Sequence, residues 1–455
     1  MPQSIMDIII SLTGNIAVVS VVAYLITRTR LYSEVIDRRL TLRGKMFMVA
    51  IFGAFSVYAA ALGGAANIRN LGPMMGGLVG GPLVGVGSAL FGAAYRFFDP
   101  RFGTSINIGT VTYSAMMATV LAGLAAGVLY RFRKGALTGV LGATIFAVSY
   151  EIFHFALSLL IGRPFSVVLP AAIKAFPPMI AAHAAGLAIF VFILNNLINE
   201  RKTRAAKERI ESELTIARDI QMNILPKIFP PFPDIREIDI HASIEPAKAV
   251  GGDLYDFFFV DDDHLCFVIG DVSGKGVSAA LFMAVSSTLF KANTKPGMPP
   301  EEILYRVNNN LCAENEASMF VTAFFGILNI RTGKIVYSNG GHNPPYIRRT
   351  SGDVEFLHCA SGLALGVMED FTFVRDTMSL MPGDTLFLYT DGVTEAINRQ
   401  DEFFTDGRLE EFLRHTGGAS IAGDLCQATS QAVHDFAAGA VQSDDITMLT
   451  IKYNG

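Results

Sequence analysis

The sequence predicts a multidomain chain: an all-α transmembrane helical bundle of about six helices, followed by an α+β domain. Three observations carry this. The 455 residues are 51% hydrophobic and only 17% charged, against about 25% charged for an ordinary soluble domain. The charge is unevenly spread, because residues 46–130 hold only Arg69, Arg96, Asp99 and Arg101 whereas 200–264 is crowded with charge. Beyond residue 235, strand-length apolar runs alternate with helical stretches in mixed order and without a regular βαβ repeat, which argues for α+β layers. At roughly 150 residues per domain the length allows about three domains. The boundaries fall at 1–198 for the membrane region, 199–226 for a helical linker and 235–455 for the soluble domain.

The same composition excludes a disordered or collagen-like chain and argues against an ordinary cytosolic enzyme. The net charge of −5 gives no nucleic-acid footprint. Cys266, Cys312, Cys359 and Cys426 form no C-x-x-C pair, so neither a zinc site nor a disulfide framework is indicated. The N-terminus lacks a basic stretch before its apolar run and a small-residue cleavage site, so it reads as a retained helix.

Runs long enough to span a bilayer, about 20 apolar residues, are 5–26, 46–66, 73–97, 106–130, 136–161 and 168–198. Glycine is dense in the third and fourth, which permits close helix approach in lipid. The basic loop 28–45 and Arg201, Lys202 and Arg204 both point to the cytoplasm by the positive-inside rule. Five runs lie between them, and an odd number of crossings cannot return to one side. Either one run is re-entrant or split, with Pro177-Pro178 in the last as a candidate break, or the bias misleads at one loop.

Residues 199–225 are strongly helical by propensity. Ile210, Leu214, Ala217, Gln221 and Ile224 are spaced 4-3-4-3, either a coiled-coil seam of about two heptads or an amphipathic face packed on its own domain. Pro226 stops this helix. In the soluble part, strands are predicted at 254–260, 265–271, 320–329, 334–339, 384–390 and 446–452, and helices at 276–292, 300–316, 407–415 and 419–437. Asp261–Asp263 reads as a hairpin turn.

Four acidic positions end a strand or sit in a Gly-rich turn: Gly251-Gly252-Asp253, Gly270-Asp271-Val272-Ser273-Gly274, Thr390-Asp391-Gly392 and Ser443-Asp444-Asp445. A single Asp-Gly pair is usually a turn. Four in order, each beside an apolar strand, point instead to carboxylates converging on one place, where they would repel one another unless cations neutralise them. An oxygen-only set without His or Cys selects Mg²⁺ or Mn²⁺ rather than Zn²⁺. A P-loop and a serine-hydrolase elbow both fail on spacing around Gly270–Gly276.

Taken together, ARDIQMNILP, AKAVGGDLYD, VIGDVSGKGVSAAL, FVTAFFGILN, YSNGGHNPP, LFLYTDGVTEA and SDDITMLTI, from about 217 to 452, resemble the metal-dependent (PPM, type 2C) serine/threonine phosphatases, in particular their bacterial sporulation and stress-response branch. The resemblance implies an αββα sandwich of two antiparallel sheets flanked by helices, with a site for two Mn²⁺ or Mg²⁺ at one edge. It implies that Asp271 bridges both ions, that the Val272 carbonyl, Asp253, Asp391 and Asp444 complete the set, and that Asp445 is a further ligand or supports one. Asp271 and Asp391 would be the catalytic pair, acting through an ion-activated water. Ser273 stands where animal and plant members carry His, Lys275 is a candidate phosphate contact, and His342 reads as shaping its loop.

The membrane half resembles the LytS-type multi-helix receptor region, through Ala66-Asn67-Ile68-Arg69-Asn70 and GLVGGPLVGVGSALFGAAYRF. That implies a sensor. Ionisable groups at membrane depth are functional candidates: Arg69, Arg96, Glu151, His154, Lys174 and His183. Asn67, Arg69, Arg96, Glu151 and His154 are the candidate signal-binding set, with two arginines able to clamp a small carboxylate or phosphate and Glu151 and His154 on one helix face. The expectation is a lipid-embedded, homodimeric receptor phosphatase of the bacterial inner membrane with its catalytic domain in the cytoplasm. Its implied substrate is a phosphoserine or phosphothreonine on a small regulatory protein, a STAS-type anti-sigma-factor antagonist, under control of a small-molecule signal. The rival readings are a non-catalytic receptor whose phosphatase-like domain binds a partner protein, and a transporter with a regulatory domain.

Overall fold

In the computed structural model the described residues are 40–62, 67–98, 106–313, 315–360, 362–416 and 421–455, with Val19, Val21, Tyr24 and Glu34. The first apolar run, 5–26, and most of the basic loop 28–45 lie outside this set. The chain forms two compact units, Met1–Lys207 and Glu208–Gly455.

Among the described residues five helices are long and apolar enough to cross a membrane: α1 (Leu42–Leu62), α2 (Leu71–Phe98), α3 (Ile106–Phe132), α4 (Val140–Ile161) and α5 (Phe165–Met222), the last running on past Lys207 into the second unit. The expected glycine packing is present between α2 and α3. A Cβ on Gly85 would run into the Gly123 carbonyl, and one on Gly123 into the Gly85 carbonyl. Only hydrogen fits at that crossing. The discontinuity lies elsewhere than Pro177-Pro178, since α5 runs unbroken through both prolines. Instead α2 leaves helical geometry at Gly81 (φ 80°, ψ −171°), directly before Pro82. Proline cannot donate to the preceding turn, and glycine alone tolerates this φ without strain, so the pair places the kink.

The second unit contains two five-stranded antiparallel sheets. One has the order β1 (Ile238–Glu245), β10 (Ile446–Tyr453), β9 (Thr385–Tyr389), β6 (Tyr346–Arg348), β7 (Val354–Phe356); the other runs β2 (Leu254–Phe259), β3 (His264–Val272), β4 (Val321–Asn329), β5 (Lys334–Gly340), β8 (Arg375–Ser379). Leu386, Leu388, Leu449 and Ile451 of the first sheet share one core with Leu265, Phe267, Ile269 and Phe324 of the second. Met283 and Phe290 of α6 (Val277–Asn293) and Ile303, Leu304 and Val307 of α7 (Pro300–Cys312) join that core from outside. Leu409 and Leu413 of α9 (Thr405–His415) and Leu425 and Val433 of α10 (Ala422–Ala437) pack beside Phe387 and Tyr389. The result is the αββα sandwich expected from the resemblance. With helices on both outer faces, the central strands are buried on both sides. This explains why β3 and β9 read as continuous apolar runs rather than alternating ones.

The six predicted strands are all present, with Asp261–Asp263 in the β2–β3 turn. Four strands went unpredicted. β6 and β7 have three residues each, too few to show a period, and β8 is largely exposed. β1 alternates buried and half-buried positions along IDIHASIE but carries His, Asp and Ser, which mask it.

The linker face divides. Ile210 is 58% exposed whereas Gln221 is 4% exposed. Gln221 gives its Nε2–H to the Gly251 carbonyl (2.6 Å) and accepts the Gly251 N–H on Oε1 (3.2 Å). The C-terminal end of the predicted seam is thus an intradomain clamp.

Candidate active site

Strand pairing carries the four motifs to one edge of the sandwich. Antiparallel β2 and β3 pair Leu254 with Gly270, so Asp253 and Asp271 emerge side by side. Antiparallel β9 and β10 pair Tyr389 with Met448, so Thr390-Asp391 and Asp444-Asp445 also emerge together. Contacts between the sheets join the two ends: Thr390 Oγ1–H donates to Asp253 Oδ2 at 2.8 Å, and Asp445 Oδ2 accepts the Gly252 N–H at 2.6 Å.

Asp253 is 1% exposed. Burial, then the charges of Asp271 and Asp445, push its carboxyl well above the ordinary range, against the hydrogen bond from Thr390. Asp271 is raised to about 7, first by burial and then by Asp391, with Asp444 and Asp445 adding to it, while a hydrogen bond with Asp253 opposes. Asp391, the first residue of the one-turn helix α8 (Asp391–Thr394), is raised by burial, Glu395 and Asp444. Burial is the largest cause of each shift, and the like charges whose repulsion the sequence anticipates add to it.

The offsetting positive charge is Lys275, whose Nζ lies 2.8 Å from Asp444 Oδ2 and donates to the Ser443 carbonyl at 2.6 Å. It sits between Gly274 (φ 84°) and Gly276 (φ 90°). Those two left-handed residues reverse the chain between β3 and α6 and return the side chain to the cluster.

Asp445 has a different occupation. It is 7% exposed, and its Oδ1 accepts the Ala247 N–H at 2.7 Å while Oδ2 holds Gly252. Both oxygens are therefore spent on the backbone of the loop that presents Asp253. A Cβ on Gly251 would strike that carboxylate and one on Gly392 the Asp445 carbonyl, so close approach explains the glycines of GGD and DGV. Ser273 is likewise engaged with backbone, its Oγ accepting the Phe320 N–H at 3.0 Å. His342 is 3% exposed; its Nδ1 meets Thr322 Oγ1 at 3.0 Å, and burial lowers its pKa to about 4.

The donor chemistry fits hard divalent cations: oxygen ligands only, partly desolvated, with more negative charge than one lysine offsets. The cluster is gathered rather than closed, because among the described residues no three His, Cys, Asp or Glu side chains as placed could hold one ion.

The membrane unit holds a second polar cluster. Arg69 Nε–H donates to Thr119 Oγ1 (2.8 Å), which donates to Asn70 Oδ1 (2.9 Å), and Asn70 Nδ2–H donates to Glu151 Oε1 (3.1 Å). His154 Nδ1 lies 2.9 Å from Glu151 Oε2, as the i,i+3 spacing predicts, and His183 Nδ1 lies 3.6 Å from Oε1. Arg69, Asn70, Thr119, Glu151, His154 and His183 are all buried. Half-buried Arg96 lies within Coulombic reach of Arg69. Asn67 acts locally, accepting the Arg69 N–H at 3.0 Å, and Lys174 is exposed. Sequence reasoning missed Asn70 and Thr119, since a neutral polar residue in an apolar run carries no charge signal.

Comparison with known proteins divides the chain in the same way. Residues 261–454 match the family Stage II sporulation protein E (SpoIIE), and residues 29–197 match the 5TMR of 5TMR-LYT. Protein IcfG of Synechocystis is 34% identical over 288 residues, 56% of this chain and 44% of that protein. Phosphoserine phosphatase RsbU of Bacillus subtilis is 32% identical over 193 residues, 42% of this chain and 56% of that protein. The chain thus spans about half the length of these curated relatives. The SiaA-PP2C domain of Pseudomonas aeruginosa superposes with a TM-score of 0.49 at 22% identity, covering 55% of this chain and 99% of that domain.

Proposed function

We propose that this SpoIIE-type domain, joined to a LytS-type receptor region, is a metal-dependent phosphoprotein phosphatase held at a membrane and controlled through its helical bundle. The observation that carries the reading is the convergence of Asp253, Asp271, Asp391 and Asp444, from both sheets, on one partly desolvated edge. Asp271, whose carboxyl is raised by the charges of Asp391, Asp444 and Asp445, would hold the ions together with Asp391, Asp253, Asp444 and the Val272 carbonyl. Two Mn²⁺ or Mg²⁺ ions bound there would neutralise the acids and would lower the pKa of a bound water.

The remaining roles belong to the chain itself. Asp445 fixes the Gly251-Gly252-Asp253 backbone through two N–H bonds. Lys275 turns from Asp444 to the substrate phosphate, as a point charge that needs no fixed fork. His342, buried and neutral, braces Thr322 beside Asp271 and takes no part in proton transfer. The substrate class is a phosphoserine or phosphothreonine on a small STAS-type regulatory protein, which a site at an open sandwich edge can admit. The buried Arg69–Asn70–Glu151–His154–His183 cluster, with Arg96 nearby, is the signal site, and a cytoplasmic catalytic domain, a homodimer and control through residues 199–225 complete the reading.

The test is phosphate release from a phosphoserine peptide by the full chain in detergent with Mn²⁺. Wild type should turn over, and Asp271→Asn and Asp391→Asn should fall to background while folding normally. Metal-dependent release that survives both changes defeats the active-site assignment. No release from wild type with either ion favours a non-catalytic, partner-binding domain.

A further inference from the structure

A second cavity lies at the opposite end of the β2–β5 sheet from the acid cluster. His264 opens β3 and Asp271 nearly closes it, a separation of about 23 Å at ~3.3 Å per residue. The cavity measures about 360 Å³, within the range of small-molecule sites, about 300–1,000 Å³.

Its walls are preformed by two turns. In Lys295-Pro296-Gly297-Met298 the Met298 N–H reaches the Lys295 carbonyl at 3.1 Å with Gly297 at φ 76°, the type II pattern of Pro followed by Gly. Across the opening, the β4–β5 turn closes through Gly333 N–H to the Asn329 carbonyl at 2.9 Å and sets Lys334 at the rim. His264 is fixed between them, its Nδ1 2.8 Å from Asp261 and its Nε2 3.2 Å from the Asn329 amide.

In a chain of net charge −5, this lining carries Lys295, Lys334 and Arg375 against Asp261 alone. The Asp261 carboxylate is already taken by the N–H groups of Asp263 (3.0 Å) and His264 (2.9 Å) and by the His264 ring. Among the described residues the ion-pair partner of Arg375 is Glu301, at 3.5 Å. Among the described residues, neither Lys295 nor Lys334 forms an ion pair. The same lining carries the apolar side chains of Met298, Pro299, Ile327 and Val336. Ammonium groups without a counter-ion recruit an anion, and the apolar walls favour one that bears a ring.

We propose that this cavity binds a small phosphorylated molecule with a flat ring, the chemistry of a nucleoside monophosphate. The phosphate lies between Lys295 and Lys334 and the ring against Met298 and Pro299. The inference does not depend on the hydrolytic reading, because no residue of the acid cluster takes part.

Calorimetric titration of the full chain in detergent, without divalent ions, tests it with AMP, adenosine and inorganic phosphate as probes. AMP should bind at least tenfold more tightly than either fragment. The Lys295→Ala/Lys334→Ala double variant should weaken AMP about 100-fold, roughly tenfold for each charge-assisted hydrogen bond removed. Both lysines reach solvent, so its melting temperature should not move, and Asp271→Asn should bind AMP as wild type does. The proposal is overturned if AMP does not bind, if it binds no better than phosphate, if the lysine variant keeps wild-type affinity, or if Asp271→Asn abolishes the binding.

Discussion

Replacing Gln221 by Ala removes both hydrogen bonds to Gly251, the 2.6 Å donation and the 3.2 Å acceptance. Each is worth about 1 kcal/mol net, and buried backbone groups left without partners cost about 1–3 kcal/mol apiece. Gly251 is itself buried, but the new cavity beside Ala admits some water, so we expect about 2–3 kcal/mol. The loss is local, since the freed loop stays tied through Asp445, through the Thr390–Asp253 bond and at the start of β2. Amide hydrogen exchange of peptides spanning 246–255 should therefore accelerate about 30- to 150-fold by local opening, at 1.4 kcal/mol per tenfold. Exchange in the β4–β5 hairpin should stay unchanged. Asp253 rides on the same loop, so Mn²⁺ affinity should fall with the same variant. Wild-type protection at 246–255 in Gln221→Ala would show that the Gln221 clamp does not hold the Gly251 loop.

Asp445→Asn leaves one oxygen where two backbone N–H groups require acceptors and turns an amide NH₂ toward the other. A charge-assisted bond is lost and a donor stranded, so thermal unfolding should show about 3 kcal/mol of destabilisation. His342 has its folded pKa lowered to about 4 by burial, against about 6.5 unfolded. The unfolded state therefore binds the extra proton, stability is complete above about pH 6.5 and declines as pH falls toward 4, by about 2 kcal/mol at pH 5. His342→Gln should remove that part of the slope in denaturant titrations at pH 7.5 and 5. Gly123→Leu drives a side chain into the Gly85 carbonyl and should cost about 1–3 kcal/mol, read as a lower melting temperature in detergent. Gly139→Ala, with nothing within 4 Å of the new Cβ, should leave it unchanged.

Much of the acidic edge was legible in the sequence. Asp253, Asp271, Asp391 and Asp444 announce themselves because each is an acid beside an apolar strand, the first three next to glycine, a local pattern that survives without coordinates. Their partners were less visible. Asp445 looks like a fifth ligand in SDDIT, yet its oxygens are filled by Ala247 and Gly252, about 200 residues away in sequence. Gln221 fits a heptad seam by spacing, and spacing alone cannot tell a partner helix from a neighbouring glycine backbone. In the membrane unit the charged members of the polar cluster were found by their scarcity, while Asn70 and Thr119 were hidden among neutral residues. Pro177-Pro178 was the natural place to expect a break, but a helix tolerates proline where neighbouring groups absorb the missing donor. The kink falls instead at Gly81, whose positive φ only glycine adopts without strain, directly before Pro82, which has no N–H for the helix ladder.

By itself the sequence determined the division into an apolar bundle and a charged α+β domain, because burial in lipid and burial in a sandwich core demand different compositions. It also determined the oxygen-only character of the site, because side-chain chemistry is local. Only the tertiary structure decided which carboxylates face one another, which are consumed by backbone N–H groups, and which lysines stand without a partner. Those properties depend on strand register and loop closure between distant segments, where one residue of slip reverses the face that a side chain occupies.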